Sequence, residues 1–198
     1  VQAVQEPIVL AIEPGTGRMT GATGRYQKRL RDLEGVYGDS AAFAAELASD
    51  PDRLLYEVYE HRPQQSEGDM IVGTSLLAPG TIGREFNLTR GHLHALADRS
   101  EIYHCIAGHG VMLMETLAGE SRALELRPGE TVYVPGHWIH RSVNVGDELL
   151  VTHFCYPADA GQDYDVIAQA GGMRELVVRS DDGGWATEPN PNWTPRDA

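Results

Sequence analysis

The segment GHLHALADRSEIYH, residues 91–104, concentrates side chains able to ligate a metal. His92 and His94 are two residues apart, so on a strand both imidazoles leave the same face. Glu101 follows a polar ADRS stretch that can turn the chain, and its own strand, EIYHCIAG, can bring the carboxylate back beside the imidazoles. His140, in PGHWIHRSVN, comes after a TVYVP strand and a glycine-containing turn, and supplies a fourth donor. Three neutral imidazoles and one carboxylate suit a divalent ion such as Fe, Mn, Ni, Zn or Co, with positions left for exchangeable ligands. An HxH pair alone is more often an ordinary surface or core pair. The glutamate at this distance, the strand context and the later histidine weigh against that reading here. The other histidines carry less: His61 and His109 are expected as solvated loop residues, and His104 should point away from its neighbour Tyr103. His137 falls in the turn before His140, and His153 in the last barrel strand.

The elements that must position these residues read mainly as strands. From Asp69 to Pro157, the runs MIVGTSLLA, REFNLT, EIYHCIA, VMLMET, RALEL, TVYVP, SVNV and ELLVTHFCY alternate with PG, GHG, AGE, RPGE and VGDE turns. Short strands at regular spacing predict an antiparallel barrel or jelly roll. Ahead of them, Ile8 to Ile12 reads as a strand and GTGRMTGATG as a turn-rich link. Arg25 to Leu33 reads as a short polar helix ended by Gly35. Ser40 is expected to cap a helix over AAFAAELA that stops near Asp50 and Pro51, and LLYEVY, from Leu54 to Tyr59, is a strand. Beyond Pro157, a short helix about Tyr164 to Ala170, one strand (ELVVR) and a polar tail are expected. One domain over 1–198 follows, with a mixed segment at 1–62, a barrel core at 69–157 and a C-terminal part at 158–198.

Composition narrows the partners. The chain has 198 residues, a net charge of −13, fifteen arginines and a single lysine, which argues against a nucleic acid or an anionic membrane as partner. An anionic small molecule still fits, because a metal and local arginines can reverse the potential inside one pocket. That lysine, Lys28, lies in the predicted polar helix, so Schiff-base chemistry is not expected. Cys105 and Cys155 sit in apolar strand-like runs and are expected as reduced thiols, in keeping with a cytoplasmic protein. No apolar stretch approaches the roughly 18 residues of a membrane span. The opening VQAVQEPIVL has no basic n-region, so no signal peptide is expected.

With these residues placed, a resemblance emerges. GHxH(x)6E(x)6G, from Gly91 to Gly108, resembles the first motif of the cupin superfamily with a lengthened gap before the glutamate. G(x)5P(x)4H(x)3N, from Gly129 through Pro135 and His140 to Asn144, resembles the second. LLYEVY, PGTIGREFNLTRGHLHALADRSEIY, GHGVMLMET, PGETVYVPGHWIHRSVNVGDELL and YPADAGQDY together resemble the cupin-type phosphoglucose isomerases of archaea and some bacteria. The likeness runs from about Asp32 to Tyr164 and more loosely to the ends. It implies an all-β cupin jelly-roll barrel of antiparallel strands with a few short peripheral helices. It further implies one divalent metal per subunit, Fe2+ first among the candidates, held by His92, His94, Glu101 and His140. Glu101 matches the catalytic base, joined by Tyr103. Tyr56, Ser75, Thr89, Gly91, Tyr103, Tyr156 and Tyr164 match the sugar-phosphate pocket, and a homodimer is implied. Three positions depart from the pattern: Ser75 stands for a threonine, Gln162 for a histidine and Arg90 for a lysine.

The implied reaction is the interconversion of glucose 6-phosphate and fructose 6-phosphate. It moves a hydrogen between C1 and C2 of an opened sugar while negative charge builds on the carbonyl oxygen. Hydroxyls and backbone N–H groups would hold the phosphate, with Arg90 and Arg141 as candidate charges. Two other readings share the ligand set: an oxygen-activating cupin dioxygenase, and a sugar-binding cupin without turnover. The long PGTIGREFNLTRGH stretch favours the isomerase.

Overall fold

Alternation of side chains on a few strands decides where the interior lies. In a computed structural model, which describes residues 6–63 and 68–196, the strand carrying Glu101 buries Glu101, Tyr103 and Cys105 and leaves Ile102, His104 and Ile106 less buried. In chain order the elements are β1 (Ala11–Ile12), β2 (Met19–Thr20), β3 (Gly24–Arg29), α1 (Ser40–Ser49), β4 (Leu54–His61), β5 (Met70–Leu77), β6 (Thr81–Ile82) and β7 (Glu85–Phe86). They continue with β8 (Glu101–Ala107), β9 (Gly110–Thr116), β10 (Ser121–Leu126), β11 (Thr131–Val134), β12 (Trp138–Asn144), β13 (Leu150–Pro157), α2 (Asp165–Gln169), β14 (Glu175–Arg179) and β15 (Trp185–Pro189). The fold is all-β, a jelly roll of antiparallel strands with short peripheral helices, as expected.

One sheet runs β11-β8-β13-β5-β4-β3, a second runs β10-β9-β12, and a third, β15-β14-β7-β6, covers the N- and C-terminal side. The first two enclose a core that includes Leu77, Met112 and Met114, with the ligand candidates between them, while Leu113 and Ile139 lie on the other face of the second sheet. Burial of these apolar side chains is the main stabilising term, at about 25 cal/mol per Å². The third sheet is tied down by Glu115 on β9, which is fully buried. Its carboxylate accepts the indole N–H of Trp193 (2.9 Å), the backbone N–H of Arg174 (2.8 Å) and Nη1 of Arg196 (2.5 Å). A buried carboxylate is tolerable only when satisfied in this way.

Several expected elements differ. Arg25 to Leu33 is not a helix: Gly24–Arg29 is a strand paired with β4, and Leu30–Leu33 forms a 3-10 turn. The GRYQKR run has no apolar stripe to anchor a helix. The edge of β4 offers a ladder instead, reinforced by an ion pair from Arg25 to Glu57. Lys28 therefore lies on a strand. Of Ile8 to Ile12 only Ala11–Ile12 is paired, and of REFNLT only Glu85–Phe86, with Leu88 bridged singly to Val143. The strand read as SVNV begins four residues earlier, at Trp138, and so includes His140. Asp39, not Ser40, caps α1, accepting the N–H of Ala42 at 2.9 Å. The polar tail contains β15, which pairs with β14. His61 ends β4 instead of lying in a loop, and His109 donates to Glu125 at 2.6 Å. Cys105 and Cys155 are free thiols, and among the described residues no helix is long and apolar enough to cross a membrane.

Candidate active site

Local backbone geometry fixes the four candidate ligands. Gly91 has a φ of +77°, and a Cβ there would sit 3.0 Å from the Cβ and Nε of Arg141 and from the carbonyl oxygen of His140. Glycine lets the chain approach β12 this closely. Next, His92 and His140 exchange both backbone hydrogen bonds, at 3.1 and 3.0 Å, and Leu93 does the same with Asp163, at 3.0 and 2.7 Å. The HxH segment is thus extended but not the strand expected: single bridges pin it and it runs in no ladder. Glu101 opens β8, and His140 is the third residue of β12.

The ligand atoms of His92, His94, Glu101 and His140 all lie within 4.8 Å of one another, and all four residues are buried. Oε2 of Glu101 is 3.0 Å from Nε2 of His140, 3.2 Å from Nε2 of His94 and 3.7 Å from Nε2 of His92. The far ring nitrogens point to carbonyls: Nδ1 of His94 to Arg99 (2.9 Å) and Nδ1 of His140 to Trp138 (3.0 Å). A carbonyl can only accept, so each Nδ1 carries the proton, and a neutral ring then turns its Nε2 lone pair inward. Lone pairs and a carboxylate therefore converge on one small volume, which calls for a positive centre. Nε2 of His92 is buried without a hydrogen-bond partner among the described residues, as a ligand atom would be. Burial, followed by the neighbouring His140, holds the His92 imidazole well below its ordinary value, which keeps it neutral and able to ligate. Burial by itself opposes ionisation of Glu101, so a carboxylate enclosed here calls for positive charge beside it. The donor set and its electrostatics fit a divalent cation.

Above the cluster opens a cleft. It gathers every pocket residue expected from the sequence: Tyr56, Ser75, Thr89, Gly91, Tyr103, Tyr156 and Tyr164. Tyr103 is buried against Glu101. Burial first and that charge second push its phenol well above the ordinary value, so it stays a hydrogen-bond donor. Thr89 is engaged with β12, its hydroxyl oxygen accepting the Ser142 N–H at 3.0 Å. Arg90 reaches the cleft with its guanidinium stacked over Tyr164, 5.4 Å from the ring centre. Arg141 does not. His140 and Ser142 face the cleft, so Arg141 faces the opposite side of β12, buried beside Glu85 and Tyr37, with Nη2 donating to the Arg90 carbonyl at 2.9 Å. Its role is to brace the backbone that precedes His92.

Sequence reasoning missed Tyr26, Glu60, Ser142 and Phe154, which also line the cleft. Period two would have found three of them: Tyr56 and Glu60 share a face of β4, His140 and Ser142 of β12, and Phe154 and Tyr156 of β13. Tyr26 was hidden by the helical reading of its segment.

Comparison with known proteins agrees with this geometry. A family model for glucose-6-phosphate isomerase (GPI) matches residues 27–194. The glucose-6-phosphate isomerase of Sinorhizobium medicae is 50% identical over 193 residues, covering 98% of this chain and 90% of that protein. The glucose-6-phosphate isomerase of Pyrococcus furiosus is 40% identical over 189 residues, covering 96% of this chain and 98% of that one. The chain belongs to the glucose-6-phosphate isomerase family. Among solved structures, an oxalate oxidase aligns with a TM-score of 0.46 and 17% identity over 55% of this chain and 54% of its own. Within the glucose-6-phosphate isomerase family, the chain is of the cupin type expected from its two motifs, and its His92, His94, Glu101 and His140 form a cluster able to hold a metal. The match to the family model spans all three departures, Ser75, Arg90 and Gln162.

Proposed function

We propose that this chain is a metal-dependent aldose–ketose isomerase that interconverts glucose 6-phosphate and fructose 6-phosphate through a cis-enediol. One observation carries the reading: a buried three-histidine, one-glutamate cluster lies at the base of a tyrosine-lined cleft in a chain of this family. A divalent ion bound there supplies Lewis-acid stabilisation of the negative charge that builds on the substrate oxygens. Fe2+ is our first choice, with Mn2+, Ni2+, Zn2+ or Co2+ as alternatives, one per subunit.

The remaining work falls to the chain's own groups. Oε2 is the Glu101 oxygen that faces the three imidazole Nε2 atoms, so the second carboxylate oxygen is assigned to carry the proton between C1 and C2. Tyr103, protonated and adjacent, is assigned to donate a hydrogen bond where charge develops. Tyr56, Ser75, Thr89, Gly91, Tyr156 and Tyr164 are assigned to hold the sugar phosphate, with Arg90 as the cation nearest its path. We further propose one cupin domain over 1–198 with its barrel core at 69–157, a homodimer, a cytoplasmic location and service in glycolysis or gluconeogenesis.

The test is a coupled assay on purified protein loaded with each of the five metals in turn, with fructose 6-phosphate as substrate and glucose 6-phosphate read out by its NADP-linked oxidation. Turnover that is the same with and without oxygen is expected. No turnover with any of them would overturn the proposal. Turnover that requires oxygen would also overturn it and favour the dioxygenase reading.

A further inference from the structure

Beside the cleft stands a charged pair, Glu60 and Arg62, that the mechanism above does not use. Glu60 of β4 is buried, faces the cleft, and has Oε1 2.5 Å from Nε of Arg62. The same guanidinium donates through Nη2 to the hydroxyl oxygen of Tyr156 at 3.2 Å. The backbone beneath it is fixed: the Arg62 N–H donates to Oγ1 of Thr23 at 2.9 Å, and the Thr23 N–H to the Glu60 carbonyl at 2.9 Å. The Tyr156 ring stacks on the ring of His94, with centroids 5.5 Å apart and planes 28° apart. Arg62 also lines an outer cavity that shares Tyr156, Gln162 and Tyr164 with the cleft. It therefore stands where the two spaces meet.

A guanidinium has only donors, so the contact with Tyr156 has one possible direction. The phenol oxygen accepts, and its own proton is left to point elsewhere. Tyr156 lines the cleft, so that proton is available to a ligand there. Glu60 holds Arg62 in the orientation that makes this contact, through a charge-assisted bond stronger than a neutral one. Gln162 close by is neutral, and its Oε1 accepts from the Tyr164 hydroxyl.

We propose that Arg62, held by Glu60, is a positioning residue that fixes the Tyr156 hydroxyl as a hydrogen-bond donor to an oxygen of the bound sugar phosphate. This rests on the isomerase reading for the identity of the ligand, and on the geometry alone for the Glu60–Arg62–Tyr156 relay.

A double-mutant cycle separates the relay from a merely structural role. The four proteins are the wild type, R62M, Y156F and R62M/Y156F, each loaded with Mn2+ and checked for folding by thermal melt. Affinity for 6-phosphogluconate, an open-chain sugar phosphate that cannot isomerise, is measured by calorimetry, with kcat/KM for fructose 6-phosphate alongside. R62M and Y156F are each expected to weaken binding by about tenfold, and the double variant by about tenfold as well. Arg62→Lys keeps a donor on a shorter, single-headed group and should restore part of the loss. Should R62M fail to fold, R62K takes its place in the cycle, with a smaller loss that again vanishes in the Y156F background. Effects that multiply in the double variant, or a folded R62M that binds as the wild type does, would overturn the relay. A wild type that binds 6-phosphogluconate and shows the coupling but turns over no fructose 6-phosphate would sink the isomerase reading and leave the relay standing.

Discussion

Glu101→Gln is expected to lower the isomerisation of fructose 6-phosphate by at least about a hundredfold, the scale of losing a general base. The substitution keeps volume and shape at a fully enclosed position, so the fold should survive. It removes the charge that Oε2 presents to Nε2 of His140 at 3.0 Å and of His94 at 3.2 Å. An amide can accept on its oxygen only, cannot take up a proton near neutral pH, and offers a cation no opposite charge. Both parts of the proposed role, ligand and proton carrier, are therefore lost together. The check is kcat and KM on metal-loaded protein with the metal content determined on the same sample. Turnover within about tenfold of the wild type would remove Glu101 from the proton transfer.

His140→Ala is expected to lose metal as well as rate. It deletes one of three imidazoles from a cluster whose donor atoms all lie within 4.8 Å, and it takes from the buried Glu101 carboxylate the nearest of those imidazoles. The backbone pair between residues 92 and 140 does not depend on the side chain, so the segment carrying His92 should stay in place. The expected outcome is metal content well below one ion per chain after dialysis and at least about a hundredfold loss of turnover, on the scale of losing an electrostatic stabiliser. A variant that retains a full complement of metal and near-normal rate would show that the ion, or the chemistry, lies elsewhere.

The candidate site was legible from the sequence because its main signal survives changes in secondary structure. Two histidines two apart share a face on any extended segment, and so His92 and His94 meet even though single bridges hold them instead of a ladder. Glu101 and Tyr103 needed only the alternation of β8, and His140 only a strand that began earlier than expected. What escaped was decided by partners far along the chain. GRYQKR became a strand because β4 had an edge to offer, and this hid Tyr26. The face taken by Arg141 depended on a second layer covering β12, which no local pattern reveals. The tail reads only as polar, yet Trp193 and Arg196 bond to Glu115 about eighty residues earlier, and β15 pairs with β14. Glu60 and Arg62 form the last example: their importance comes from Tyr156, 94 residues beyond Arg62.

The account stands on a cation seated among His92, His94, Glu101 and His140. Anomalous diffraction from crystals grown with Mn2+, recorded above the manganese edge, tests this most directly. The predicted result is one strong peak per chain, about 2.0–2.3 Å from the three Nε2 atoms and a carboxylate oxygen of Glu101. A peak bound elsewhere, or none at this cluster in crystals of an active preparation, would contradict it.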